Sequence, residues 1–154
     1  MKIAFYVSGH GFGHAVRCAQ VMDAIAARRP DTEIHVRSAA PPWLFPEEVR
    51  ARVSDVRLDV GVVQKNSLTL DTAATLSRME AIHGRAEDLL RAETGFLRET
   101  GCRIVVGDIP SLSFEAARRA RMPSVAITNF SWAWIYRAYL PAEPRFAPII
   151  DRMA

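Results

Sequence analysis

The apolar positions change period along the chain, and those changes outline its elements. Ile3 to Val7 is an unbroken run of strand formers that stops at Ser8-Gly9, which predicts a buried strand and a turn. From His14 onward, Cys18, Val21, Met22 and Ile25 recur at helical spacing, which predicts a helix closing before Pro30. Glu33 to Arg37 predicts a second strand. Arg52 to Val63, where Val53, Val56, Leu58 and Val60 loosely alternate, predicts a third. Between them, the proline-bracketed segment Pro41 to Pro46, with Trp43, Leu44 and Phe45, cannot sit inside a sheet.

Asp71 is a plausible N-cap for the stripe Leu76, Met79, Ile82, Ala86, Leu89, Leu90, Glu93 and Phe96. It reads as one long helix ending at Gly101, or as two if it breaks at Gly84. Arg103 to Gly107 then predicts a buried strand ending at Asp108, Ser111 to Arg121 a helix, and Ser124 to Thr128 another strand. Strands apolar all round, separated by helices, imply a parallel sheet covered on both faces. The fold class is therefore α/β, a Rossmann-like doubly wound sheet. After the aromatic stretch Asn129 to Tyr139, Arg145 to Ala154 opens a helical pattern with Phe146, Ile149, Ile150 and Met153 on one side. It stops without a cap, so the chain is expected to be truncated, with Ile149 and Ile150 as surface that an absent half would cover.

Composition narrows the class. At 154 residues there is room for one core, and 49% hydrophobic with 24% charged residues describes a globular chain, not a disordered one. Twenty basic against seventeen acidic residues leave a net charge of +3, with arginine scattered, so no nucleic-acid partner is expected. Two cysteines, Cys18 and Cys102, make neither a disulfide framework nor a zinc site, and a reducing cytoplasm is the expected compartment. No apolar run approaches the roughly 18 residues of a membrane span. Contact of Trp43, Leu44 and Phe45 with a membrane surface stands beside burial against a neighbouring domain or lining of a cleft.

In an open parallel sheet, ligands bind where the carboxyl ends of the strands meet the helix amino termini. The loop there is Ser8-Gly9-His10-Gly11-Phe12-Gly13-His14, whose glycines let backbone N–H groups approach a ligand at a helix amino terminus. The dinucleotide fingerprint GxGxxG meets His14 where its last glycine belongs, so a nicotinamide site, with Arg37 reading a 2′-phosphate, is a minor alternative. A lone His14 would cap the helix or fill a polar niche. With Asp108 at the end of a neighbouring strand, it could instead be a general base whose tautomer the carboxylate fixes. Asp108 could equally be an N-cap to the next helix. Arg17, one turn on, would meet an anionic ligand or simply be an exposed helical arginine. Asn129, Ser131, Trp132 and Trp134 would bond hydroxyls and stack on sugar rings, or the tryptophans would merely cover the sheet.

The segment KIAFYVSGHGFGHAVRCAQVMDAI resembles the first strand, glycine-rich loop and helix of the GT-B glycosyltransferase superfamily. It is especially similar to the glycosyltransferase-like group that includes the amino-terminal region of plant L-arabinokinase, where HGFGHA-x-R occurs. DIPSLSFEAARRARMPSVAITNFSWAWIY is similar to the same group. The loop also resembles, more distantly, the GGTGGH loop of the peptidoglycan N-acetylglucosaminyltransferase. The resemblance implies that residues 1–154 are the acceptor-side half of a GT-B fold, whose absent carboxyl-terminal domain would grip a nucleotide sugar as donor substrate. It implies transfer of the sugar to an acceptor hydroxyl with no metal and no further cofactor. His14 matches the base position of many GT-B enzymes, Asp108 matches the carboxylate that orients it, and His10 is a competing imidazole. The chain alone would not complete the transfer. The alternative is a non-catalytic sugar- or nucleotide-binding module associated with a sugar kinase.

Overall fold

The computed structural model describes residues 1–154. The chain opens with Lys2–Val7 (β1), whose alternate side chains enter two cores. Ile3, Phe5 and Val7 pack on one face of the sheet, and Ala4 and Tyr6 on the other. Phe12–Arg28 (α1) covers the first face through Ala15, Cys18 and Met22, and begins two residues before His14, where the spacing had placed its start. Glu33–Arg37 (β2) follows. The proline-bracketed segment forms a 3-10 turn at Pro42–Leu44 and a single helical turn, Glu47–Arg50 (α2). Phe45 is buried in the first core, while Trp43 remains exposed.

The third strand is shorter than its pattern. Only Val53–Ser54 (β3) pairs with β2. From Val53 onward the apolar residues serve three cores in turn: Val53 the first, Val56 and Leu58 the second, Val60 and Val62 a third. The loose alternation thus comes from a segment passing from one face of the sheet to the other, not from a pleat. Gln64–Asn66 (β4) and Thr69–Leu70 (β5) then form an exposed antiparallel hairpin that the polar sequence there did not predict.

Asp71 caps Thr72–Gly84 (α3), its carboxylate accepting from the Ala74 amide at 2.9 Å. The helical stripe does break at Gly84, and Ala86–Thr100 (α4) runs on to Gly101, which closes it in the left-handed conformation. Ile104–Asp108 (β6), Ser111–Ala120 (α5) and Ser124–Ala126 (β7) complete a parallel sheet of order β3-β2-β1-β6-β7. α4 and α5 cover the second face. This is the expected Rossmann-like α/β architecture.

The aromatic stretch is itself helical, Trp132–Arg137 (α6), and the last pattern forms Ala147–Arg152 (α7). With α3 they enclose a third core of Leu76, Met79, Trp132, Tyr136, Phe146 and Ile150. Ile150 is thus buried within its own chain, which corrects the expectation that it forms a surface for an absent half; Ile149 packs at the margin of the same core. No helix is long and apolar enough to cross a membrane.

Candidate functional site

Strand register builds the site. Pairing of β1 with β6 puts Val7 opposite Asp108, and the Ser8 amide donates to the Asp108 carbonyl at 3.3 Å. The glycine-rich loop therefore starts beside the last residue of β6. Gly11, with φ of +72°, turns the chain into α1 and is its N-cap, offering no side-chain acceptor. No acidic residue occupies the first turn, so the helix amino terminus is left with its positive end uncompensated by the chain. After Asp108 the backbone bends sharply: Ile109 is buried with φ of +79°, a conformation unusual for a β-branched residue and held where chemistry is expected.

His14, on the first turn of α1, places Nδ1 3.0 Å from Asp108 Oδ2. The imidazole is 14% exposed and the carboxylate wholly buried. The contact lies off the line of a hydrogen bond, leaving Oδ2 without an aligned donor, which a rotation of the ring would supply. Arg17 donates to Asp108 Oδ1, and its outer nitrogen also stands 3.5 Å from His14 Nδ1. These neighbours ask for opposite tautomers, the carboxylate for Nδ1–H and the guanidinium for a bare Nδ1. The carboxylate is nearer and Arg17 is already committed to it, so Nδ1–H is favoured and the lone pair sits on Nε2, which makes no hydrogen bond. The Asp108 side chain thus faces α1 and does not cap the helix that follows it; the N-cap of α5 is Pro110.

Arg17 is not the exposed helical arginine of the plain reading. Besides Asp108 it donates to the Ile127 carbonyl at 3.2 Å and to Asn129 Oδ1 at 3.4 Å, tying α1 to the end of β7. Its buried Nε has no partner. Arg17 and Asn129 are therefore held to each other, and the arginine's charge is spent on Asp108, not held free for an anion.

Two other expectations need correction. Trp132 is 3% exposed, stacked on Tyr136 with centroids 5.8 Å apart and edge-on to His10 and Phe130, so it offers no face to a sugar. Ser131 is the N-cap of α6, its Oγ accepting from the Trp134 amide at 3.2 Å. Trp134 and Phe12 are the exposed aromatics near this edge, and Phe12 lies against Trp43 with centroids 5.6 Å apart. Gly9 packs on Ala39, while a Cβ at Gly13 would meet nothing within 4 Å.

His10 lies over Gly61, where a Cβ would fall 2.2 Å from the ring. Burial, and then the charge of His14, lowers its pKa, which favours the neutral imidazole. Sequence reasoning missed Asp59. Its carboxylate accepts from the Trp132 indole at 2.7 Å, and burial raises its pKa above the ordinary aspartate value. With Gly9, His10, Gly11 and Arg57 it lines a polar cleft of about 140 Å³. A charged residue interrupting Leu58 and Val60 was the signal for it. Arg37, by contrast, is consumed: it pairs with Glu93 through two bonds of 2.8 and 2.7 Å, and Glu93 also accepts from Tyr6. The observation behind a nicotinamide site is thereby removed.

No family model matches the chain. L-arabinokinase from Arabidopsis thaliana is 39% identical over 147 residues, 92% of this chain, and the chain spans 14% of that protein's length. A UGT transferase from Siraitia grosvenorii, solved in complex with UDP, is 19% identical and superposes with a TM-score of 0.52 over 81% of this chain and 27% of its own, which shows a shared fold. A hydrogenase carboxyl-terminal domain from Pyrococcus furiosus, 13% identical, reaches 0.48 over 81% of this chain and 89% of that one.

Proposed function

We propose that the chain is the acceptor-side domain of a sugar-transferring enzyme in which His14 is the general base. The observation that carries this is the approach of His14 Nδ1 to the buried Asp108 carboxylate at the mouth of the parallel sheet. With Nδ1 protonated and facing the carboxylate, Nε2 is the basic nitrogen. In the reaction it takes the proton of an acceptor hydroxyl while that oxygen bonds to the anomeric carbon of a nucleotide sugar. The bond from that carbon to the diphosphate breaks in the same displacement, and the configuration inverts. Asp108 stabilises the imidazolium that forms. The open amide groups of the glycine-rich loop and the amino terminus of α1 suit the negative charge that develops on an oxygen during the displacement. Donor binding belongs to a second domain.

The fold shared with a UDP-bound UGT transferase makes UDP-sugars the first donors to test. The test is transfer from UDP-sugars to a panel of sugar and small-molecule hydroxyls by the complete protein and its His14→Ala variant. Turnover that depends on His14 supports the reading. Turnover indifferent to His14 overturns it.

The L-arabinokinase relative favours a second reading, a sugar- or nucleotide-binding module serving a sugar kinase. Calorimetric titration with UDP and free sugars separates the two, because a module binds without turnover in the complete protein.

A further inference from the structure

A large surface cavity runs away from this site, sharing Arg17 with it at one end. It is a trough of about 800 Å³ on the α1 face of the sheet. Ile104, Val106, Val125 and Ile127, from β6, β7 and the residue just after it, form its floor, and Val21 and Ile25 of α1 line one wall. Val125 is 49% exposed, and all three residues of β7 are open. The opposite face of the same strands is covered by α5. Strands of a parallel sheet send side chains both ways and are normally covered on both faces, so this is an apolar surface without its cover.

Charge identifies the cover. Arg28 and Arg29 end α1, and Arg103 precedes β6, so three guanidinium groups gather at one end of the trough. None of them pairs with a carboxylate. No acidic side chain lines the trough. At the other end Arg17 is already neutralised by Asp108. Between Arg17 and Arg28 the trough follows α1 for about three helical turns. A helix laid beside α1 in the same sense would bring its carboxyl end, the negative end of its dipole, to the three arginines.

We infer that the trough seats an amphipathic helix of about three turns from a partner polypeptide, with its apolar stripe on Val106, Val125 and Ile127 and acidic side chains in its last turn beside Arg28, Arg29 and Arg103. A second copy of this chain is a poor occupant, because no acidic side chain lines the trough and a copy docked trough to trough would bring no carboxylate to these arginines.

The test is fluorescence anisotropy with two labelled helical peptides titrated with the 154-residue chain. They share one apolar stripe at i, i+3, i+4 and i+7 and differ in carrying glutamates or lysines in the last turn. The glutamate peptide binds saturably, and the lysine peptide binds at least about tenfold more weakly. Val125→Asp, at an open edge position, removes binding, and the exposed triple variant R28E/R29E/R103E reverses the preference between the peptides. Circular dichroism checks that each variant is folded, and either variant suffices if the other is not. Absence of saturable binding at millimolar concentration overturns the inference, as does equal affinity for the two peptides. So does a dimer in light scattering that Val125→Asp dissociates, which would give the trough to a second copy, and so does loss of the glutamate peptide's binding when the complete protein replaces the 154-residue chain, which would give the trough to another part of the same chain.

Discussion

Arg17 and Asp108, ninety-one residues apart, are bonded to each other beneath His14, so a single buried carboxylate serves two side chains on successive turns of α1. The His–Asp pair is thus part of a three-membered cluster. The guanidinium balances the carboxylate charge that would otherwise fall wholly on the imidazole, and it anchors α1 to the end of β7 through Ile127 and Asn129.

His14→Ala lowers kcat of sugar transfer by about 10²–10⁴-fold with little change in KM, since a general base acts on the transition state. Steady-state kinetics on the complete protein measure this.

Replacing Arg17 by methionine strands the Asp108 charge in the protein interior. The expected loss is about 2 kcal/mol, below the 3–5 kcal/mol of a fully enclosed pair because part of the guanidinium reaches solvent. Urea denaturation reads it. The double variant Arg17→Met/Asp108→Asn loses less than the two single losses together, because the second change removes the stranded charge.

Asp59→Asn raises stability at neutral pH. Burial raises the folded-state pKa of Asp59 above its unfolded value, so between those values the native state holds a proton that the unfolded state has released. Stability from this group is present at acid pH and lost as pH rises through the folded pKa. The asparagine keeps an acceptor for the Trp132 indole and removes the desolvated charge. Thermal unfolding across pH 3–8 shows a gain at neutral pH that vanishes below about pH 4.

Gly61→Ala destabilises by more than about 1 kcal/mol, because alanine is strained at a φ of +72° and its Cβ would enter the His10 ring. A shifted His10 signal in the histidine NMR spectrum distinguishes displacement of the ring from a general loss of order.

Alkaline unfolding follows from three buried acids. Burial, and for Tyr6 the Glu93 charge also, raises the Tyr6 and Tyr136 phenols, and burial with the Asp108 charge pushes the Cys18 thiol up to about 12. The unfolded chain releases these protons first, so stability is intact below about pH 9 and falls as pH rises from there. Tyr6→Phe makes the fall shallower in denaturation midpoints between pH 9 and 11.

Period and punctuation in the sequence made most of the sheet legible. β1 and β6 are apolar on both faces, β2 alternates with Ile34 and Val36 on one face, and the breaks at Asp71, Gly84 and Gly101 are local capping chemistry that needs no distant partner. Most of the segment from Arg52 to Val63 was misread because its apolar residues answer to three different cores, an arrangement with no period of its own. Trp132 was misread for a related reason. An aromatic residue in a run of aromatics looks the same whether it faces a ligand or, as here, lies between Tyr136, Phe130 and Asp59.

The sequence by itself determined the α/β class, the glycine-rich turn into α1 and the presence of His14 and Asp108 at strand–helix junctions, because each depends on residues close along the chain. Tertiary structure alone decided that Val7 lies opposite Asp108, that Arg17 enters the cluster, that Glu93 captures Arg37 and that Asp59 joins the cleft. Those pairings depend on sheet register and on which buried charges lie within reach of one another, and neither is encoded in the spacing of any one segment.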